Sequence, residues 1–318
     1  MAIYCELKDG MGLGNQLWTM LSTKGIAEHL GVEHYTKGYK HFLAKNFLTV
    51  ETNTVDYFPN DICNIAEKSF YWKKANFLGC LFDDRFFTLN TEKDWLITGL
   101  LQDERYLSDI GSALLFNTQK EQNILTGTVI CNVRGGEYRL HRNFQLKKNY
   151  WLASIQKMKE MYPHIHTVIG VSDDYEFCRK LGIFDKIIAG NIRETFELLT
   201  NAMYVVASNS TFSYFPVKLN NNVQCVIAPA FYNRPHQHQM WCSPQNHYEA
   251  YSYIDQSCNI LPQNTVKNHV YNTEAEIYKA GKIFDYGTYD PRSNILKRIV
   301  PNQMKSMTKR LIRATMGY

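Results

Sequence analysis

Apolar residues cluster along the chain in short runs instead of alternating strictly with polar ones. Ala2–Leu7, Thr128–Val133, Thr167–Val171, Tyr204–Ala207 and Val223–Ala228 are each four to six residues long, and most end in a cluster of glycine, serine, asparagine or aspartate. Gln16–Leu30 instead has helical spacing, with Leu17, Leu21, Ile26 and Leu30 near one face. Apolar runs separated by helical segments predict strands of a parallel sheet covered on both faces. In such sheets ligands lie beyond the carboxyl ends of the strands, which is where the polar clusters fall. Residues 39–95 are rich in aromatics, Asn, Asp and Lys with no clean period, and are read as the irregular remainder of an N-terminal α/β domain. The polar stretch 118–127 precedes a fresh strand and suggests a boundary. The expected organisation is an α/β domain over 1–125, a second over 126–290 and a tail over 291–318.

Length and composition agree with two domains: 318 residues, 45% of them apolar, are enough for substantial cores. No run of about 18 apolar residues occurs, and Met1–Lys8 lacks the basic stretch and apolar core of a secretory leader, so the expected location is the cytosol. Eight cysteines stand without a CxxC pair, several in apolar runs (Cys5, Cys131, Cys225), and read as buried hydrophobes in a reducing compartment. The net charge of +5 is uneven. After Asp290 there are seven cations and no acid, so residues 1–290 carry −2, seven less than the whole. Within 292–313 apolar residues interleave with the cations, interrupted by Pro301. That pattern suits short helices lying peripherally on an anionic membrane, at its inner face, and equally a helix packed by its apolar edge on the body of the protein. No nucleic-acid-binding module accompanies the basic tail, so no nucleic-acid partner is expected.

Several clusters carry candidate chemistry. Gly10-x-Gly12-x-Gly14 follows the first apolar run but has Asn15 and Leu17 where the dinucleotide fingerprint needs a further glycine. The loop reads either as a tight turn or as a place where backbone approaches a diphosphate at a helix N-terminus. Arg134 is followed by Gly135 and Gly136, so its forked guanidinium has room to meet a diphosphate; a surface salt bridge is the alternative. Glu137 is a candidate general base, a partner that orients Arg134, or a solvated carboxylate. Ser172-Asp173-Asp174 offers carboxylates to a nucleoside or a helix cap, and Ser208-Asn209-Ser210-Thr211 an anion cradle or an N-cap. His236-x-His238 with Cys242 reads as a surface pair beside Pro235 more readily than as a zinc site. Neither a GxxxxGK[ST] loop nor a serine-centred hydrolase elbow occurs.

Taken in order, five segments resemble the bacterial α-1,2-fucosyltransferase family. Gly12-Leu13-Gly14-Asn15-Gln16-Leu17 is similar to its Gly-x-Gly-Asn-Gln-Leu loop, and Gly99-Leu100-Leu101-Gln102-Asp103-Glu104-Arg105-Tyr106 to its Gly-Tyr-x-Gln-Ser-Glu-Lys-Tyr segment. Asn132-Val133-Arg134-Gly135-Gly136-Glu137-Tyr138 stands where the family has His-x-Arg-Arg-Gly-Asp-Tyr. Ser172-Asp173-Asp174 and Ser208-Asn209-Ser210-Thr211-Phe212-Ser213 match its Ser-Asp-Asp and Ser-Asn-Ser-Thr-Phe-Ser-Trp-Trp segments. The resemblance covers roughly residues 3–232. It implies two facing Rossmann-like domains of the GT-B type with a cleft between them, GDP-fucose as donor, a glycan acceptor, inversion at the anomeric carbon, and neither cofactor nor metal. The chain also lacks the Asp-x-Asp pair with which many nucleotide-sugar enzymes hold a divalent ion. By the same resemblance Arg134 meets the β-phosphate, Asp173 the nucleoside, Ser208, Ser210 and Thr211 the diphosphate, and Gly12, Gly14 and Asn15 shape the cleft floor. Asn132 replaces the family histidine in the donor site, Gly135 the second arginine, Glu137 the aspartate, and Tyr214-Phe215 the paired tryptophans. These departures leave open a transferase of another nucleotide sugar and a non-catalytic nucleotide- or glycan-binding relative.

Overall fold

The computed structural model describes residues 1–72, 77–117, 125–136, 138, 145–230 and 244–288. Two parallel sheets organise them. The first contains β1 (Ala2–Glu6), β2 (Glu33–Lys37), β3 (Asn53–Val55), β4 (Cys63–Ala66) and β5 (Trp95–Thr98) in the order β3-β2-β1-β5-β4, with every neighbouring pair parallel. The second contains β6 (Leu125–Val133), β7 (Thr167–Ser172), β8 (Lys186–Ile188), β9 (Ala202–Ala207), β10 (Cys225–Pro229), β11 (Ser252–Ile254) and β12 (Ile260–Leu261). Its order is β8-β7-β6-β9-β10-β11-β12, antiparallel only at β12. Counted from β6, the parallel strands follow the Rossmann order 3-2-1-4-5-6, with its switch point between β6 and β9. The twin α/β architecture of the GT-B type expected from the sequence is the one observed.

Helix α1 (Leu13–Leu30) starts three residues before the predicted Gln16 and is buried on nearly every side from Leu13 to Ala27, not along a single stripe. Its position explains this. One side packs on β1 and β2, the other on the turn Thr211–Ser213, and Trp18 stacks against Tyr214 at 4.6 Å and Tyr248 at 5.7 Å in the second lobe. A helix enclosed between two layers needs apolar side chains all round. It stops at Gly31, whose φ of 69° is the left-handed conformation glycine adopts at no steric cost.

The stretch 39–95 is more regular than its sequence suggests. It supplies β3 and β4, and Lys68–Trp72 and Phe77–Cys80 pair as an antiparallel ribbon. Strands of three to five residues are too short to display a period. Helix Gln263–Ala280 carries the chain back to this ribbon, where Lys282–Asp285 pairs with Lys68–Tyr71 beside the first lobe. The seven described cysteines are free, with Cys5, Cys80, Cys131 and Cys178 buried; Cys242 and the tail, including 292–313, lie outside the described residues. Among the described residues no helix is long and apolar enough to cross a membrane.

Candidate functional site

At the switch point of the second sheet, β6 and β9 run side by side with Asn132 opposite Ala207. Beyond their ends lie the Arg134–Gly136 turn and the serine-rich turn Ser208–Thr211. Asn132 and Ser208 are each only 5% exposed, yet Asn132 Nδ2 and Ser208 Oγ have no hydrogen-bond partner among the described residues. An unpaired buried polar group costs about 1–3 kcal/mol, and native chains tolerate few. Other buried atoms, Trp18 Nε1 and Trp151 Nε1 among them, also lack a partner among the described residues; what sets these two apart is their place at the carboxyl ends of neighbouring strands at a switch point, where a ligand can complete the bonding.

Arg134 stands beside them with 31% of its side chain exposed. Its Nη1 pairs with the Asp173 carboxylate, and the Gly135 N–H donates to Asp173 Oδ1 at 2.9 Å. The guanidinium lies over the Tyr138 ring, 5.6 Å from its centroid, and the Tyr138 hydroxyl donates to the Asn209 carbonyl at 3.2 Å. Acid and ring therefore flank one cation, and the ring is tied to the serine-rich turn. Asn132, Arg134, Ser172, Asp173, Gly190 and Thr195 line an open depression of about 390 Å³. A second of about 440 Å³ is lined by the serine-rich turn Ser208–Thr211 and walled by Tyr248, Tyr251 and Tyr253.

The two glycines after Arg134 answer to packing. A Cβ at Gly135 would overlap the Asp174 Cβ, and one at Gly136 the Asp173 carboxylate; Gly136 also has a positive φ of 23°. Both are therefore needed for the turn to close on Asp173-Asp174, a role distinct from the ligand access read in the sequence. Asp174 caps the helix Tyr175–Leu181 through a bond from the Phe177 N–H at 3.0 Å.

The first lobe faces this site with the carboxyl ends of β1 and β5. A Cβ at Gly14 would lie 2.6 Å from Thr211 Oγ1 and 2.7 Å from the Thr211 carbonyl carbon, so only glycine lets α1 abut the serine-rich turn. Asn15 Oδ1 accepts from Gln102 Nε2 and Thr211 Oγ1, both at 3.1 Å, and Gln102 Oε1 accepts from Asn246 Nδ2 at 3.0 Å. Ser210 Oγ accepts from the Phe212 N–H at 3.3 Å and caps the short turn Thr211–Ser213. Gly12 is exposed, with open space around it. The structure thus brings Gly14, Asn15, Asn132, Arg134, Asp173, Ser208, Ser210 and Thr211 to one region between the sheets. Glu137, His236, His238 and Cys242 lie outside the described residues. Among the described residues no three His, Cys, Asp or Glu side chains form a metal-binding group.

Sequence reasoning missed three further residues. Tyr138 and Gln102 sit inside the quoted motifs but received no role. Glu67, which follows β4 in the stretch without a period, carried no local signal. Its buried carboxylate accepts from the N–H groups of Leu100 (2.8 Å) and Leu101 (3.0 Å), from the Tyr106 hydroxyl (3.1 Å) and from Gln245 Nε2 (2.5 Å). Burial pushes this carboxyl up to about 7, against the opposing pull of those donors. Leu101, held there with a φ of 52°, directs the chain into Gln102.

No protein-family model matches the chain, and no curated protein matches it in sequence. Solved structures similar to it include the NodZ α-1,6-fucosyltransferase, known from Bradyrhizobium, soaked with GDP-fucose (14% identity, 74% of this chain and 97% of that one, TM-score 0.47). POFUT1 in complex with GDP-fucose is similar at 12% identity over 71% of this chain and 96% of that one, TM-score 0.41. The E. coli heptosyltransferase WaaC with ADP is similar at 10% identity over 86% of this chain and 100% of that one, TM-score 0.42. Likeness at this level says nothing of substrate or reaction.

Proposed function

We propose that the chain is an inverting glycosyltransferase that moves fucose from GDP-fucose to a hydroxyl of a galactoside-type acceptor in a surface glycan, without a metal ion. The observation that carries the reading is the pair of buried atoms, Asn132 Nδ2 and Ser208 Oγ, that lack a partner among the described residues at the switch point of a Rossmann-ordered sheet, with Arg134 on the turn that follows Asn132. An amide N–H, a hydroxyl and a guanidinium are all hydrogen-bond donors, the complement that phosphate oxygens require. The choice of fucose and of a galactoside rests on the motif resemblance alone.

In this reading the acceptor oxygen attacks the anomeric carbon from the face opposite the diphosphate. The new C–O bond forms as the bond to the β-phosphate oxygen breaks, and the electron pair leaves with GDP. Arg134, Ser208, Ser210 and Thr211 hold the diphosphate as its charge grows, supported by Asn132. Asp173 stands beside them, Gly12, Gly14 and Asn15 form the facing floor, and Glu137 is the carboxylate assigned to take the acceptor proton.

The test compares GDP, UDP, CMP and their sugars by thermal shift, then incubates the protein with GDP-fucose and a panel of galactosides. Stabilisation by GDP above the others, with acceptor-dependent release of GDP, is expected. Preference for another nucleotide would move the donor assignment, and binding without release would make the chain a binder.

A further inference from the structure

We infer that Asp173 is a positioning residue for Arg134: it sets the guanidinium that faces the diphosphate instead of reading the nucleoside. The inference rests on the transferase reading and deepens it. Both oxygens of the carboxylate are engaged by the neighbouring turn, Oδ2 by Arg134 Nη1 and Oδ1 by the Gly135 N–H at 2.9 Å. One group therefore fixes the cation and the backbone that carries it. Asp173 is 10% exposed and Arg134 31% exposed on their side-chain atoms, so the pair is partly shielded from the screening that weakens surface ion pairs. The adjacent Asp174 is occupied differently, as the cap of helix Tyr175–Leu181. On its other side the guanidinium meets the Tyr138 ring, which the serine-rich turn holds through the Asn209 carbonyl.

The glycine pair makes this clamp possible. With any side chain at 135 or 136 the turn could not close on Asp173-Asp174. Position 135 is where the resembling family carries its second arginine, so a second cation and this clamp exclude one another. What the chain lacks in charge it gains in preorganisation: a guanidinium already fixed does not have to be ordered when negative charge develops. Because the Arg134–Asp173 pair is neutral overall, the acid should matter more for transition-state placement than for binding GDP.

A double-mutant cycle decides the matter, with Arg134→Ala, Asp173→Asn and the combination measured for GDP affinity by calorimetry and for single-turnover transfer from GDP-fucose. Asp173→Asn alone is expected to slow transfer about tenfold while changing the GDP Kd by less than about threefold, and to have no further effect once Arg134 is gone. Asp173→Glu, which keeps the charge but displaces it by one methylene, should recover part of the rate. Equal losses from Asp173→Asn in both backgrounds would mean that the acid contacts the ligand itself, and tighter GDP binding in Asp173→Asn that it blocks the cation; either overturns the inference. A ligand-free arm follows labelling of Arg134 by phenylglyoxal, expected to be faster in Asp173→Asn, with equal rates refuting the pairing. Wild-type protein that binds no nucleoside diphosphate defeats the transferase reading and this role with it, a result distinct from additive losses, which require measurable binding.

Discussion

The two lobes present the same topological feature, a switch point at the carboxyl ends of a parallel sheet, and finish it in opposite ways. In the first lobe the polar groups there are consumed by the protein itself, in part through donors from the second lobe: Asn15 accepts from Gln102 and Thr211, Gln102 accepts from Asn246, and Glu67 takes four donors, Gln245 among them, to hold the Leu100–Leu101 turn. In the second lobe Asn132 Nδ2 and Ser208 Oγ are buried and, among the described residues, unpartnered. The same fold thus spends its switch-point chemistry on architecture in one half and leaves it available in the other. The second lobe is therefore the one to expect a ligand to complete.

The largest effect that probes the contrast belongs to Glu67. Its carboxyl titrates near 7 in the folded chain against an ordinary value of 4.5, so between these pH values the folded state keeps a proton that the unfolded state has lost. The associated stability is fully present below about pH 4.5, declines as pH rises through about 7, and is then flat. Glu67→Gln keeps the side chain uncharged at every pH: its carbonyl can accept from Leu100 and Leu101, and its amide can donate to the Tyr106 oxygen and, once the Gln245 amide turns over, to Gln245 Oε1. We expect it to remove the slope and to leave the variant about 3 kcal/mol more stable than wild type at pH 8, by urea titration across pH 4–9. An unchanged slope would show that the first lobe is not clamped by a strained acid.

Next in size is Gly14→Ala. The added methyl would press on Thr211 Oγ1 at 2.6 Å and on main-chain atoms that have no rotamer to give, so α1 must move off the serine-rich turn. Overpacking of this kind costs about 1–3 kcal/mol, read as a lower urea midpoint. A variant as stable as wild type would mean that the lobes do not meet at this glycine.

Much of this was legible in the sequence, for physical reasons specific to each segment. β6, β7, β9 and β10 are buried on both faces and so read as apolar runs, and their carboxyl ends carry the polar turns that form the site. β3 and β8 are three residues long and only partly buried, which leaves too few positions to show a pattern. Gly135 and Gly136 were visible as glycines, but the reason for them lies at Asp173-Asp174, some 40 residues away, where no local reading can find it. Glu67 was invisible for the same cause: its four donors come from two segments distant in sequence, 100–106 and Gln245.

The smallest expected effect is also the one that separates the lobes by sign. Ser208→Ala removes a hydroxyl that the empty protein buries without a partner, so the ligand-free variant should be more stable by about 1 kcal/mol, raising Tm by roughly 2 °C. Its stabilisation by GDP should shrink, because the hydroxyl that a phosphate would satisfy is gone. Gln102→Leu in the first lobe should do the reverse. It breaks bonds to Asn15 and Asn246 that exist without any ligand, so it lowers the apo Tm by a similar amount while the shift on adding GDP stays as in wild type. Differential scanning fluorimetry of both variants with and without GDP is sufficient. If Ser208→Ala lowers the apo Tm, its hydroxyl already has a partner and the asymmetry between the two switch points disappears. If it raises the Tm but leaves the GDP shift intact, the free hydroxyl is a packing defect, and the ligand must be sought at Asn132 and Arg134 alone.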